Sequence, residues 1–232
     1  MNKPLKLPDR PDLPDSATAF AEVGVSRPHE SAHLHVAGTA PYTDDLPELA
    51  GTLQAALGLS PLAHGVVESL DLDLLRALPG VVDVFSARDI PGANDCGSLV
   101  HDDPILAGEA GATLRYLGQP VFAVVATTRD AARRAAARAR DVIRATPLPP
   151  VLTPQQAHAA RQYVVPPMHL QRGDAAAAIA AAPYRLQRSF DVGGQEQFYL
   201  EGQISYALPQ EDGGMKLLCS TQHPSEMQHL VA

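Results

Sequence analysis

With 232 residues, a formal net charge of −8 and no tryptophan, the chain can form one large domain or two small ones, with a core mainly of Leu, Val and Ala. This acidic balance disfavours nucleic-acid binding, which needs a basic stripe. The absence of a secretory signal, of a membrane-length apolar run and of any CxxC motif or disulfide framework around Cys96 and Cys219 predicts a soluble cytoplasmic protein.

The first half of the chain predicts an extended arm followed by a compact domain. Four prolines near the start indicate an arm over residues 1–30. Strand and helix patterns then alternate over residues 36–148, which predicts an α/β (α+β) domain. The predicted strands are LQAALGLS, HGVVESL, VVDVFSARDI and LGQPVFAVVA, and the helices are DLDLLRALPG and RDAARRAAARARDVI. Thr128 is placed to cap the second helix, whose arginines form either a solvated face or a surface for a partner.

The second half of the chain is richer in strand patterns. Residues 149–172 contain several prolines and are interpreted as a linker. Within residues 173–232, Gly173 and Asp174 are expected to cap a short alanine helix, and three strands follow in YRLQRSFDV, QEQFYLEGQISYALP and MKLLCST. The turn QEDGG between the last two strands predicts a hairpin.

The stretch GGQEQFYLEGQ carries a polar face if it forms a strand. Alternation would put Gln195, Gln197, Tyr199 and Glu201 on one side. Such a face either lines a cavity or lies exposed on a sheet. The residues alone leave both interpretations open.

Several familiar kinds of site find little support in the sequence. Nucleotide-binding glycine motifs and the GxSxG elbow are absent. His33 and His35 would share one face of a strand, but no third metal ligand follows at a familiar spacing. Two acidic pairs, Asp44-Asp45 and Asp102-Asp103, are expected to cap helices or orient loops.

Near the C-terminus, Gln222 lies where the strand LLC gives way to a helix starting at Pro224. Its side-chain amide offers both donors and an acceptor, which suits an oxo or hydroxo ligand whose protonation changes. A glutamine at this junction could equally cap the helix. The residue type alone does not choose between these roles.

Five stretches, in order, resemble the large, molybdenum-binding subunit of bacterial xanthine dehydrogenases, within the molybdenum hydroxylase superfamily. They cover roughly residues 22–232 and are PHESAHLHVAGTAPYTDDLPELAGTLQAALGLSPLAHG, ALPGVVDVFSARDIPGANDCG, YLGQPVFAVVATTRDAARRAA, GGQEQFYLEGQ and STQ. The resemblance implies an a/b hammerhead domain at 36–148 and the start of a molybdopterin-binding domain at 173–232. In such enzymes a purine is hydroxylated with water as the oxygen source.

The resemblance also implies cofactors, partners and site residues. Gln222 matches the family glutamine whose amide hydrogen-bonds the apical oxo group of the molybdenum–molybdopterin cofactor. Gln195 and Glu201 are expected to line a channel or serve structure. FAD and 2Fe-2S clusters would sit on a partner small subunit and pass electrons to NAD. The chain is expected to assemble with that subunit and with the rest of the large subunit in an oligomer.

This sequence departs from the family in lacking its GGGFGG segment, base-acting glutamate and purine-binding residues. We therefore expect the chain alone to lack turnover, as the N-terminal piece of a larger polypeptide. Two alternatives remain: an aldehyde or N-heterocycle oxidase of the same superfamily, and a non-catalytic hammerhead module used for interaction.

Overall fold

The computed structural model describes residues 25–232, which divide into two compact units. One unit combines the described residues up to Leu46 with Leu200–Ser220. The other combines Pro47–Tyr199 with Thr221–Ala232. Most of the arm predicted at residues 1–30 lies outside the described residues.

Six strands within the described part of the larger unit form two antiparallel sheets of three strands each. The first sheet has the order β1-β5-β3 and the second has the order β4-β2-β6. The strands are β1 (Gln54–Leu59), β2 (Gly65–Leu70), β3 (Val81–Phe85), β4 (Thr113–Leu114), β5 (Pro120–Ala126) and β6 (Ile143–Pro147). The predicted mixed class of α and β structure is confirmed, and its sheets are antiparallel.

The helices are short. In the described residues they are α1 (Ala32–Ala37), α2 (Asp73–Arg76), α3 (Arg129–Ala136), α4 (Ala139–Val142), α5 (Pro154–Ala159), α6 (Ala175–Ala181) and α7 (Pro224–Val231). A hairpin completes the smaller unit, with β7 at Ser205–Pro209 and β8 at Met215–Cys219. None of these helices is both long and apolar enough to cross a bilayer.

The core lies between strands and helices of the larger unit, and one glycine sets its packing. Phe122 of β5 is fully buried and pairs in register with Gly58 of β1. A Cβ atom at Gly58 would come within 2.0 Å of the Phe122 ring. The Phe122 ring therefore fits against β1 only because Gly58 has no side chain. The buried apolar residues around it include Val67, Leu75, Val84, Leu114, Val121, Val124 and Val142.

Helix α3 packs its alanine face against the first sheet. Ala131, Ala132, Ala135 and Ala136 are buried, while the neighbouring arginines are exposed. The Thr128 hydroxyl accepts a hydrogen bond from the Ala131 backbone N–H at 3.1 Å, which confirms the predicted cap. Small side chains let the helix approach closely, and the arginines remain in solvent.

In the first half of the chain, one predicted helix is interrupted and one strand assignment is wrong. The helix predicted over RDAARRAAARARDVI forms α3 and α4, with a two-residue turn between them, and ends before Ile143 enters β6. His33 and His35 lie in helix α1, not on a strand. Gly38, with φ of 69°, ends that helix in the left-handed region that glycine tolerates.

The region after β6 departs most from the sequence prediction. The linker at 149–172 contains helix α5, capped by Thr153 and Gln156. Asp174 caps α6 as predicted, accepting from the Ala177 N–H at 2.9 Å. The predicted strand YRLQRSFDV is wrong, because its residues form no regular structure. Without a neighbouring strand to complete its hydrogen bonds, an alternating pattern stays an irregular chain.

Candidate functional site

Gln222 occupies a short turn that follows β8 and precedes α7 in the chain. The Thr221 hydroxyl oxygen accepts a hydrogen bond from the His223 backbone N–H at 3.1 Å, which closes a three-residue turn with Gln222 at its centre. The Gln222 side chain is exposed. Its amide has no hydrogen-bond partner among residues 25–232, so it is available to a ligand, and it does not cap α7.

The hairpin before this turn is tied together at its open end by Ser220. The Ser220 hydroxyl donates to the Gly202 carbonyl at 2.9 Å and accepts from the Ile204 N–H at 3.3 Å. The Ser220 N–H also donates to the Ile204 carbonyl at 3.2 Å. At the other end, the Gln210 N–H donates to the Gly214 carbonyl at 2.9 Å, which confirms the predicted QEDGG turn.

Glu201 has a structural contact in the smaller unit. It is half-buried, and its Oε1 accepts a hydrogen bond from the Thr43 backbone N–H at 3.4 Å. Thr43 begins the 3-10 turn Thr43–Asp45, in which the Asp45 carboxylate accepts from the Tyr42 N–H at 2.9 Å. The predicted capping role of this acidic pair is confirmed for Asp45. Glu201 thus holds a turn distant in sequence.

Gln195 lies in an exposed, irregular stretch of the larger unit. The strand predicted for QEQFYLEG is wrong, because Phe198 has a φ of 56°, a value that a strand does not accommodate. The shared polar face of Gln195, Gln197 and Tyr199 therefore does not form. No hydrogen bond within the described chain joins Gln195 to Gln222.

The larger unit exposes many apolar side chains over residues 163–199, which the sequence pattern does not predict. These side chains are Tyr163, Val164, Val165, Met168, Leu170, Ile179, Tyr184, Leu186, Phe190, Val192, Phe198 and Tyr199. Exposed apolar area of this extent marks a surface that packs against another protein region. The alternation of apolar residues in YRLQRSFDV is the visible sequence signal for these side chains, although by itself it predicts a strand.

The loop between β3 and β4 is organised by Asp95. Its carboxylate accepts from the backbone N–H groups of Gly97 and Asp103, each at 3.1 Å, and contacts the His101 imidazole at 2.7 Å. The Gly97 hydrogen bond, with a further contribution from His101, lowers the pKa of Asp95. Asp102 pairs with Arg115 at 3.2 Å, so it orients this loop as predicted.

The cysteines and the acidic or histidine side chains form no further site in the described part of the chain. Cys96 and Cys219 are both free thiols. Burial raises the pKa of the Cys96 thiol, which keeps it protonated. Among residues 25–232, no three His, Cys, Asp or Glu side chains are grouped so that they could hold a metal ion.

Two family models match the chain in succession. Residues 37–142 match "Aldehyde oxidase and xanthine dehydrogenase, a/b hammerhead domain", and residues 156–232 match "Molybdopterin cofactor-binding domain". The first match contains β1 to β5 and ends just before β6, and the second contains Gln195, Glu201 and Gln222.

Curated relatives extend this similarity over most of the chain. A xanthine dehydrogenase of Oryza sativa subsp. japonica is 36% identical over 214 residues, covering 90% of this chain and 15% of the relative. A xanthine dehydrogenase/oxidase of Gallus gallus is 33% identical over 216 residues, covering 92% of this chain and 16% of the relative. The chain thus spans less than a fifth of the length of these relatives.

Two solved structures share the fold. Quinoline 2-oxidoreductase from Pseudomonas putida 86 gives a TM-score of 0.69 at 24% identity, covering 90% of this chain and 28% of the other. The aldehyde oxidoreductase from Desulfovibrio gigas gives 0.66 at 24% identity, covering 81% and 22%. At this identity the likeness concerns the fold alone.

Proposed function

The chain belongs to the aldehyde oxidase and xanthine dehydrogenase family, and from that premise we propose that it is the N-terminal part of the molybdopterin-binding subunit of a xanthine dehydrogenase. The proposed reaction is hydroxylation of hypoxanthine and xanthine to urate, with water as the oxygen source. One observation carries this proposal: both domain matches occur in order on a chain that aligns over nine-tenths of its length with relatives named xanthine dehydrogenase.

Gln222 is proposed as the residue that would contact an oxo ligand of the molybdenum cofactor. Its exposed, unpartnered amide fits this role, because a neutral carboxamide can donate to an acceptor or accept from a donor. When bound, the cofactor supplies the two-electron oxidation of the substrate. The chain itself supplies an exposed hydrogen-bonding group at the centre of a turn closed by Thr221.

The other site candidates receive more limited roles. Glu201 is proposed as a structural residue, supported by its contact with the Thr43 N–H. Gln195 is proposed to line a channel or to support the surrounding chain once the exposed stretch around it is covered. Neither is assigned a proton transfer, because neither contacts another candidate side chain in the described residues.

The proposed assembly has several partners. FAD and 2Fe-2S clusters on a small subunit would carry electrons to NAD, in an oligomer located in the cytoplasm. The remaining part of the large subunit would cover the exposed apolar side chains of residues 163–199, because burying such area is favourable. This chain alone is proposed to be inactive.

The test uses the complete assembly, purified through an affinity tag on this chain. Molybdenum, iron and flavin contents are measured first, followed by NAD reduction with hypoxanthine and xanthine. We expect Gln222→Ala to lower kcat about a hundredfold, the scale for losing one preorganised hydrogen-bonding group. The matched control is Gln228→Ala, an exposed glutamine on α7, which should retain full activity.

Three outcomes would contradict the proposal. Unchanged kcat for Gln222→Ala at full molybdenum content would remove the role of Gln222. If the assembly turns over an aldehyde or quinoline but neither purine, the proposed function would be wrong. The assignment would then be the alternative, an aldehyde or N-heterocycle oxidase of the same superfamily. An assembly without molybdenum or turnover would favour the non-catalytic hammerhead module.

A further inference from the structure

The turn around Gln222 is held by one side chain. Thr221 accepts from the His223 N–H through its hydroxyl oxygen at 3.1 Å. Pro224 then starts α7 and has no N–H of its own, and the His223 carbonyl accepts from the Met227 N–H at 3.0 Å. The residue after Gln222 is therefore fixed from both directions, by Thr221 before it and by α7 after it.

Gln222 itself has no comparable restraint on its side chain. Because its amide is exposed and lacks a described partner, its direction depends on the backbone that carries it. A hydroxyl bond to the N–H two residues ahead selects a turn for the intervening residue. The β-branched threonine also restricts χ1, so its oxygen is presented to that N–H more often than that of an unbranched residue.

We propose that Thr221 is a positioning residue: its hydroxyl acts through the backbone of His223 to hold the Gln222 amide in its productive orientation. This inference rests on the proposed function, because it assigns Thr221 no contact with the cofactor or substrate. Removing the hydroxyl leaves Gln222 present but in a wider range of orientations, and the productive fraction falls.

The test compares Thr221→Val, Thr221→Ser and Gln222→Ala in the complete assembly. Thr221→Val keeps the shape and removes the acceptor, and we expect kcat to fall about three- to tenfold, the scale of one net hydrogen bond. Thr221→Ser keeps the hydroxyl and should retain at least half of the activity. Thr113→Val is the matched control, since Thr113 is exposed on β4 and its hydroxyl has no described hydrogen bond.

Two further readouts separate positioning from a general structural role. The molybdenum EPR spectrum of Thr221→Val should shift towards that of Gln222→Ala at unchanged molybdenum content, while Thr221→Ser keeps the parent spectrum. The double variant Thr221→Val/Gln222→Ala should be no slower than Gln222→Ala alone, because Thr221 acts only through Gln222. If Thr221→Val does not assemble, Thr221→Ala replaces it in the same series.

The outcomes distinguish the two proposals. Normal kcat and spectrum for Thr221→Val, beside a loss in Gln222→Ala, would overturn the positioning role alone. Losses that multiply in the double variant would overturn it as well, because Thr221 would then act independently. An unaffected Gln222→Ala would overturn the proposed role of Gln222 and the positioning role with it.

Discussion

Two regions of the larger unit differ in whether they bury their apolar side chains. The first region is residues 54–147, which form the two sheets, and the second is residues 163–199. Phe122 of β5 and Leu75 of α2 are 0% exposed, whereas Phe190 is 87% exposed and Leu170 is 99% exposed. The first region closes its own core. The second carries comparable side chains and buries almost none of them.

The difference teaches that an apolar pattern produces a strand only where a neighbouring strand completes it. In the first region, VFAVV of β5 lies between β1 and β3 and pairs with both. In the second, YRLQRSFDV alternates equally well but has no described partner and forms no strand. Backbone N–H and C=O groups require partners, so the pairing surface decides the outcome.

The largest expected effect on stability comes from replacing a phenylalanine of the first region, and the matched substitution is in the second region. Phe122→Ala should lower the free energy of unfolding of the 232-residue chain by about 3–5 kcal/mol, because it empties a packed core. Phe190→Ala should change it by less than about 0.5 kcal/mol. Urea denaturation followed by circular dichroism measures both. Equal losses would mean that residues 163–199 pack in solution, and the comparison would fail.

A second contrast concerns two glycines. Gly58→Ala should lower the free energy of unfolding by about 1–3 kcal/mol, because the new Cβ would overlap the buried Phe122 ring. Gly92→Ala serves as the control, since a Cβ there meets nothing within 4 Å. The same denaturation experiment applies. A neutral Gly58→Ala would show that the Phe122 ring can move, contrary to its tight packing.

Helix caps provide a smaller test of the same difference. Thr128→Ala removes the cap of α3, which packs on the core, and should cost about 1 kcal/mol. Thr153→Ala removes the equivalent cap of α5, a helix with no buried residues, and should leave global unfolding unchanged. Thermal melting distinguishes them. If Thr153→Ala lowered the melting temperature as much as Thr128→Ala, then α5 would unfold together with the core, contrary to this prediction.

The smallest expected effect is on acid stability within the first region. The Val84 N–H at 2.7 Å, with Arg76 Nε at 3.1 Å, lowers the pKa of Asp83 below its ordinary value of 3.8. Stability from these contacts is present above that value and is lost as pH falls through the lower folded-state pKa. Asp83→Asn should flatten the fall in melting temperature below about pH 4. If the melting temperatures of parent and variant fell in parallel with pH, Asp83 would make no contribution to acid stability.

Much of the first region could be predicted from sequence because its signals are local. The cap at Thr128 and the strands β1, β2, β3 and β5 follow from residue type and alternation. The break after Ala136 could not be predicted, because alanines and arginines favour continuing the helix. Helix α4 follows after two turn residues and gives way to β6, where Ile143 pairs with Leu70, a residue far away in sequence.

The candidate site could be predicted less completely. The resemblance to molybdenum hydroxylases selects Gln222 as a candidate site residue. Only the structure reveals the Thr221 hydrogen bond and the unpartnered Gln222 amide. The polar face at Gln195 required a strand, and the backbone of Phe198 excludes it. Glu201 binds the N–H of Thr43, 158 positions earlier, and no local pattern indicates such a contact.

The sheets and their core come entirely from residues 54–147, and this has a consequence for biosynthesis. Once Pro147 has emerged from the ribosome, every strand of both sheets is available, and small mixed domains fold within milliseconds to seconds. Translating residues 148–232 takes roughly 4–17 s at about 5–20 residues per second. The exposed apolar stretch therefore emerges beside a core that has already closed. It cannot compete for places inside that core, and its apolar side chains remain for a surface outside it.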